Sequence, residues 1–258
     1  MKVFFMGATK FGQGCLKTVL KAGMSVVGCA VTPEVFQISY APTGVKNVTY
    51  MDFSVIAREL GIPAIPYERG RQNRFIEEVA RLKPDLILVA GWYYLVPREL
   101  RRVAPKGAVG LHGSLLPKYR GGAPLVWAMI HGEKETGVTL FYLEDGVDEG
   151  DIIGQESFSL GETETIADAL TKLDEAAQRL LERTLPLLAK GQAPRLSQNH
   201  AEATTFPQRS PADGEIDWSW SVKRIRDFIR AQTRPYPGAF TRIDGKKVIL
   251  WDAEVLED

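Results

Sequence analysis

GAVGLHGSLLPKYRGGAP, residues 107–124, holds the key to the fold. Its first half is an apolar run, Ala108-Val109-Gly110-Leu111, that stops at His112; its second half is a loop rich in Gly and Pro. A short apolar run bounded by turn residues reads as a strand buried on both faces, as in parallel sheets. Working outward, the same signature recurs at 3–6, at 26–31 and at 85–90, around Leu86-Ile87-Leu88-Val89. A short extended piece is read at 62–66. Helical spacing lies between these runs: 13–20, with Leu16, Val19 and Leu20 in phase; 53–60, with Asp52 placed as its cap; and 75–82. Strands alternating with helices predict an α/β fold with a Rossmann-like, mostly parallel sheet.

Beyond the loop, 125–130 reads as a helix, and 138–143 and 152–158 as strands. The longest helical stripe runs over 166–188 through Ala167, Leu170, Leu173, Ala177, Leu180, Leu181 and Leu185, with Thr163 as its expected cap. Residues 189–211 are polar and punctuated by Pro, which suits a linker. A short helix is expected at 222–231. Two strands, 240–243 and 248–251, flank Asp244-Gly245, a strong hairpin signal. The expected organisation is a main domain over 1–188, a linker over 189–211 and a small, part-β module over 212–258. Residues 33–49 have no sustained period and contain Pro, Gly and Asn, so a long loop is expected there.

Composition narrows the function classes. Of 258 residues, 45% are hydrophobic, enough for a substantial core. Lys plus Arg and Asp plus Glu both number 32, and this zero balance argues against a general nucleic-acid binder. Two cysteines, Cys15 and Cys29, are too few for a disulfide framework and read as buried thiols in a reducing compartment. No window approaches the roughly 20 apolar residues of a membrane span. The chain enters its first strand without a signal-peptide layout, so a cytoplasmic protein is expected. Three histidines and two separated cysteines offer no metal-ligand constellation.

Taken singly, His112 at a strand end is a candidate general acid or base, with a packed histidine as the plain alternative. Asp148 sits in the acidic, Gly-bounded turn 144–151 (EDGVDEGD), where it could serve His112 or only shape the turn. The glycines Gly7, Gly12 and Gly14 follow a strand and precede a helix, as a phosphate loop would, but their spacing is G-x-x-x-x-G-x-G and not G-x-G-x-x-G.

Residues 107–153 resemble the 10-formyltetrahydrofolate-dependent formyltransferases, the family of the methionyl-tRNA, glycinamide ribonucleotide and amino-sugar enzymes. The family signature is an Asn-x-His ahead of an S-L-L-P-type loop, then an Asp in a Gly-flanked turn. His112, Ser114, Leu115, Leu116, Pro117 and Asp148 match it, and Gly110 stands at the Asn position. A weaker likeness covers 1 to about 188 and resumes at 214–218 (GEIDW) and 234–240 (RPYPGAF). The resemblance implies the formyltransferase fold, 10-formyltetrahydrofolate as formyl donor and no metal. It implies a catalytic pair, His112 and Asp148. It also implies donor contacts at Tyr94, Leu95 and Val96, along Ser114–Pro117, and at Asp145, Gly146 and Val147. The loop with Gly7, Lys10 and Phe11 would line the acceptor side, and Arg120 would meet a substrate phosphate or carboxylate or else anchor its own loop.

In the family the Asn amide helps hold the oxyanion, and losing one such donor costs about 2.7–4 kcal/mol. Gly110 has no side chain, so either water fills the space or the backbone shifts inward; the water-filled space is the expectation. The neutral charge and the short C-terminal stretch point to a small-molecule amine, a nucleotide-linked amino sugar or an amino-acid-like metabolite, with no nucleic-acid or membrane partner and with a homodimer left open. The rival readings are a methionyl-tRNA formyltransferase, a formyltetrahydrofolate hydrolase and a non-catalytic folate-binding module.

Overall fold

The computed structural model describes residues 1–38, 41–46 and 48–256. The chain begins β1 (Lys2–Met6), α1 (Lys10–Lys21), β2 (Ser25–Val31), β3 (Val35–Ile38), β4 (Ala41–Lys46), α2 (Phe53–Leu60) and β5 (Ala64–Pro66). It continues with α3 (Gln72–Arg81), β6 (Leu86–Val89), α4 (Arg98–Arg101), β7 (Ala108–His112), β8 (Arg120–Gly121), α5 (Pro124–Ile130) and β9 (Glu135–Tyr142). Then come β10 (Ile152–Ser159), α6 (Ile166–Lys190), β11 (Thr205–Phe206), α7 (Val222–Arg230), β12 (Ala239–Ile243) and β13 (Lys246–Leu250).

The main sheet has seven strands in the order β10-β9-β7-β6-β1-β2-β5. The five strands from β7 to β5 run parallel, and β9 is antiparallel to both its neighbours. This is the Rossmann-like, mostly parallel α/β fold that the alternation of runs predicts. Its cause is visible in β1, where Val3, Phe4, Phe5 and Met6 are all fully buried because helices cover both faces. The strand order reverses at β1: the chain first winds outward to β2 and β5, then returns to β6 and β7. The loops after β1 and β6 therefore leave side by side at the carboxyl edge, where such sheets bind ligands.

Those two loops touch through glycine. Ala8 N–H donates to Gly91 O at 3.0 Å. A Cβ on Gly12 would lie 2.6 Å from Ala90 O, and one on Gly91 would lie 1.9 Å from Thr9 Oγ1. Gly7 and Gly12 thus let the chain after β1 lie close against the carbonyl of Ala90.

Helix α6 buries Ile166, Ala169, Leu173, Ala176, Ala177, Leu180, Leu181 and Leu185 against the sheet, at the spacing of one helical face. Its cap is Thr165, not Thr163. Asp168 Oδ2 accepts from Thr165 N–H at 2.8 Å, closing a capping box, whereas Ile166 three residues after Thr163 can accept nothing. Asp52 caps α2 as expected, accepting from Ser54 N–H at 2.8 Å.

The stretch 33–49 is not a plain loop. Strands β3 and β4 pair antiparallel, with Val35 opposite Lys46 and Phe36 opposite Val45. Pro42 and Gly44, which lie within β4, hide the pairing from a periodicity reading. Ser39, Tyr40 and Asn47, which the loop expectation included, lie outside the described residues.

The C-terminal part carries α7 and the β12–β13 hairpin, turned by Asp244 (φ +51°) and Gly245 (φ +71°). Arg230 of α7 fastens it to the main domain: the buried guanidinium donates to Gly161 O at 2.9 Å and Glu164 O at 2.8 Å, and Nε meets Asp227 Oδ1 at 2.8 Å. No helix among the described residues is long and apolar enough to cross a membrane.

Candidate active site

Strand β7 delivers His112 to the carboxyl edge, with its side chain only 10% exposed. Its Nε2 lies 2.7 Å from the carbonyl oxygen of Tyr119, and its Nδ1 lies 3.5 Å from Asp148 Oδ2. Both neighbours are acceptors. A proton on Nε2 satisfies Tyr119 O, which leaves Nδ1 as the nitrogen able to take up another; an ion pair with Asp148 then forms.

Two loops meet to make this arrangement. Residues 113–124 fold back over the end of β7, held inside by Thr139. Its hydroxyl donates to Ser114 O at 2.7 Å and accepts from Leu116 N–H at 3.0 Å and from Gln155 Nε2 at 2.9 Å. The turn after β9 brings Asp148, whose Oδ2 also accepts from Gly121 N–H at 2.8 Å. Asp148 has φ +55° and Tyr119 φ +58°, left-handed conformations that side-chain-bearing residues seldom adopt. Such strain persists where the surroundings over-determine it, and it gathers at functional sites.

The other sequence-expected positions fall in different places. Ser114 and Leu116 are buried, and Leu115 and Pro117 are half-buried, so this loop turns alternate side chains inward. Tyr94 packs on Tyr67, with ring centroids 5.0 Å apart, and on Trp92 at 5.8 Å, and burial pushes its phenol pKa up. Leu95 is 78% exposed, while Val96 is half-buried among the same side chains. Trp92 Nε1 is buried and has no hydrogen-bond partner among the described residues. Asp145 pairs with Arg101 and, at 3.4 Å, with Arg98, and the Arg101 hydrogen bond holds its carboxyl below the usual range. Gly146 and the exposed Val147 continue that turn. Beside it runs an open groove of about 830 Å³ bordered by Arg98, Arg101, Arg102, Lys106 and Arg195. Gly7 ends β1, two strands from β7 on the same edge, while Lys10 and Phe11 form the first turn of α1.

Of the two readings left open for Arg120 the contacts favour loop anchoring, and the expectation for Gly110 changes. Arg120 is 4% exposed and faces inward: Nε and Nη2 donate to Gln198 Oε1 at 3.1 and 2.6 Å, and Nη1 meets Glu149 Oε1 at 3.3 Å. It anchors its loop. The space beside Gly110 is neither water-filled nor closed by a shifted backbone. Gly110 stays in register opposite Val89 and Phe141, and Leu143 Cδ2 lies 2.8 Å from where a Cβ would stand.

Tyr119, Leu143, Thr139, Gln155 and Gln198 were not foreseen. Tyr119 acts through a main-chain atom, which no side-chain pattern signals. Gln198 lies in the polar stretch read as a linker. Among the described residues no group of three or more His, Cys, Asp or Glu could hold a metal ion.

Fold and site together define a Rossmann-like α/β protein in which a buried histidine meets a half-buried aspartate at the carboxyl edge of the sheet. The formyl transferase family model matches residues 1–185, and the model of the formyl transferase C-terminal domain matches residues 209–258. The chain is 35% identical over 256 residues to the methionyl-tRNA formyltransferase of Desulforamulus reducens, covering 99% of this chain and 78% of that protein. With the enzyme of the same name from Desulfotalea psychrophila it is 36% identical over 256 residues, 99% of this chain and 77% of that one. Among solved structures, a 4-N formyltransferase from Francisella tularensis shares the fold with a TM-score of 0.76 at 20% identity, covering 100% of this chain and 98% of that one. The N-formyltransferase from Helicobacter canadensis, solved with folinic acid and dTDP-3-aminofucose, gives 0.72 at 20% identity, covering 96% and 86%. The chain belongs to the formyl transferase family and is a formyl-transfer enzyme.

Proposed function

We propose that this enzyme moves the formyl group of 10-formyltetrahydrofolate to the primary amine of a small molecule, a nucleotide-linked amino sugar or an amino-acid-like metabolite. The observation that carries the reading is the position of His112 between Tyr119 O and Asp148 Oδ2. In the overall reaction the formyl carbon exchanges its bond to the folate nitrogen for one to the amine, and one proton travels from the amine to that folate nitrogen. His112 Nδ1 receives the amine proton while Nε2–H stays on Tyr119 O, and the ring then returns the proton to the leaving nitrogen. Asp148 pairs with the ring while it is charged. With both ring nitrogens so engaged, the developing oxyanion falls to backbone N–H groups or water, since no side chain at Gly110 can hold it.

The residues present fit a folate. The orphan N–H of Trp92, packed beside Tyr94, suits a ring nitrogen or carbonyl of a pterin. The cations of the groove beside Asp145 suit the carboxylates of a folate tail. The small-molecule acceptor is supported by the balance of 32 basic and 32 acidic residues.

A second reading, methionyl-tRNA as acceptor, is favoured by the 35% and 36% identity to methionyl-tRNA formyltransferases along nearly the whole chain. Tetrahydrofolate release, measured with a panel of amino sugars, amino acids and charged initiator tRNA, tests both. Release that depends on a small amine supports the proposal. Release only with the tRNA selects the second reading, release without any acceptor means a hydrolase, and binding without release means a folate-binding module.

A further inference from the structure

Residues 186–208 lie between the two spans that the family models match. They do not merely connect. The stretch first bridges Leu196 to Ile152, with N–H···O distances of 2.8 and 3.0 Å, and so borders the turn that carries Asp148. It then pairs β11 with β8, and Arg120 N–H donates to Thr204 O at 2.8 Å and Tyr119 N–H to Thr204 Oγ1 at 2.9 Å. One strand of chain thus holds both loops of the active site.

Gln198 sits at the centre of this contact and is 6% exposed. Its Nε2 donates to the carbonyls of Asp148 and Gly150, both at 2.8 Å. Its Oε1 is the shared acceptor of two Arg120 nitrogens. The amide cannot rotate without turning an N–H toward a guanidinium and an oxygen toward two carbonyls, so Arg120 fixes which way it points. One carbonyl it grips is Asp148's own and the other lies two residues on, so it braces the C-terminal side of the left-handed Asp148, whose conformation is costly and needs external support.

We propose that Gln198, locked by Arg120, is a positioning residue for formyl transfer: it holds Asp148 in the strained conformation that places its carboxylate against His112 and Gly121. The inference rests on the reading of His112 and Asp148 as the proton-handling pair.

Gln198→Met keeps the volume and removes every hydrogen bond. Gln198→Glu keeps the acceptor for Arg120 and removes the donor to the two carbonyls. Both should lower kcat on the order of tenfold to a hundredfold, as small displacements of reacting groups do, with the donor KM changing far less. The amide resonance of Gly121, whose N–H reports the Asp148 carboxylate, should shift in both. Asn199→Ala is the control: it loosens the same stretch by removing the cap on Ala201 N–H but touches neither Asp148 nor Arg120, and it should keep near-wild-type kcat. Asp148→Asn is measured in parallel. If Asp148→Asn is inactive while both Gln198 variants keep wild-type kcat and the Gly121 resonance, positioning by Gln198 is overturned and the catalytic pair stands. If Asp148→Asn keeps wild-type turnover, the pair itself falls and the proposal with it. A loss in the Gln198 variants that Asn199→Ala matches, in step with a lowered Tm, also overturns it.

Discussion

Leu143 occupies the side-chain space of Gly110. Its Cδ2 lies 2.8 Å from the position of a Cβ there, with Phe141 Cε1 at 3.5 Å, so the strand that carries His112 is packed by an apolar side chain two residues before it. A small residue at 110 and a large one at 143 fill one volume between them.

Restoring the family amide therefore requires two changes. Gly110→Asn alone should overpack the site and destabilise the fold by about 1–3 kcal/mol, without raising turnover. Adding Leu143→Ala should recover most of the stability and raise kcat above that of Gly110→Asn. Urea unfolding and steady-state kinetics on the single and double variants check this, and a Gly110→Asn variant as stable as wild type would show that Leu143 moves aside freely.

His112→Ala should lower kcat by about 10²–10⁴, the usual contribution of a positioned acid or base, while donor binding by calorimetry stays near wild type. Retained activity would remove His112 from the mechanism.

The indole of Trp92 can be separated from its ring. Trp92→Phe keeps an aromatic face toward Tyr67 and Tyr94 but deletes the orphan N–H. One hydrogen bond is worth about 1 kcal/mol, so the donor KM should rise about fivefold with little change in kcat. Reduced folate binding without a loss of Tm is the expected pattern, and an unchanged KM would mean that no ligand meets this donor.

Asp174 gives the stability a pH dependence unrelated to catalysis. Burial on α6, near Cys15, pushes its carboxyl up to about 6 from 3.8. The folded protein then binds this proton more tightly than the unfolded chain, so the stabilisation is complete below pH 3.8 and is lost as pH rises through about 6. Asp174→Asn should be more stable than wild type at pH 8 by about 1 kcal/mol, a figure reduced for the partial exposure of the group. The difference should vanish toward pH 4, as read from urea midpoints across that range.

What could be read in the chain follows physical lines. The strands at 3–6, 26–31 and 86–89 were legible because strands buried on both faces carry unbroken apolar runs. Helix α6 was legible from its stripe, and the last hairpin from Asp244-Gly245. The β3–β4 pair was obscured by Pro42 and Gly44 within one arm. His112 and Asp148 stood out through side-chain identity and a familiar loop. The atoms around them did not: Tyr119 contributes a carbonyl, Gln198 reaches across 50 positions to Asp148, and Leu143 matters for the volume it takes. Contacts of that kind follow from tertiary placement, which a local pattern does not encode.

Arg230 has a bearing on how the molecule comes apart. Its guanidinium holds the carbonyls of Gly161 and Glu164, just ahead of α6, from a helix in the C-terminal part. Separation would give up these buried bonds and expose the core that Phe228, Ile229 and Ala239 share with the first span, so the two matched spans should melt as one cooperative unit. A single calorimetric transition is expected for the whole chain, and Arg230→Met should split it, releasing the β12–β13 hairpin at a lower temperature while the Rossmann-like sheet remains folded.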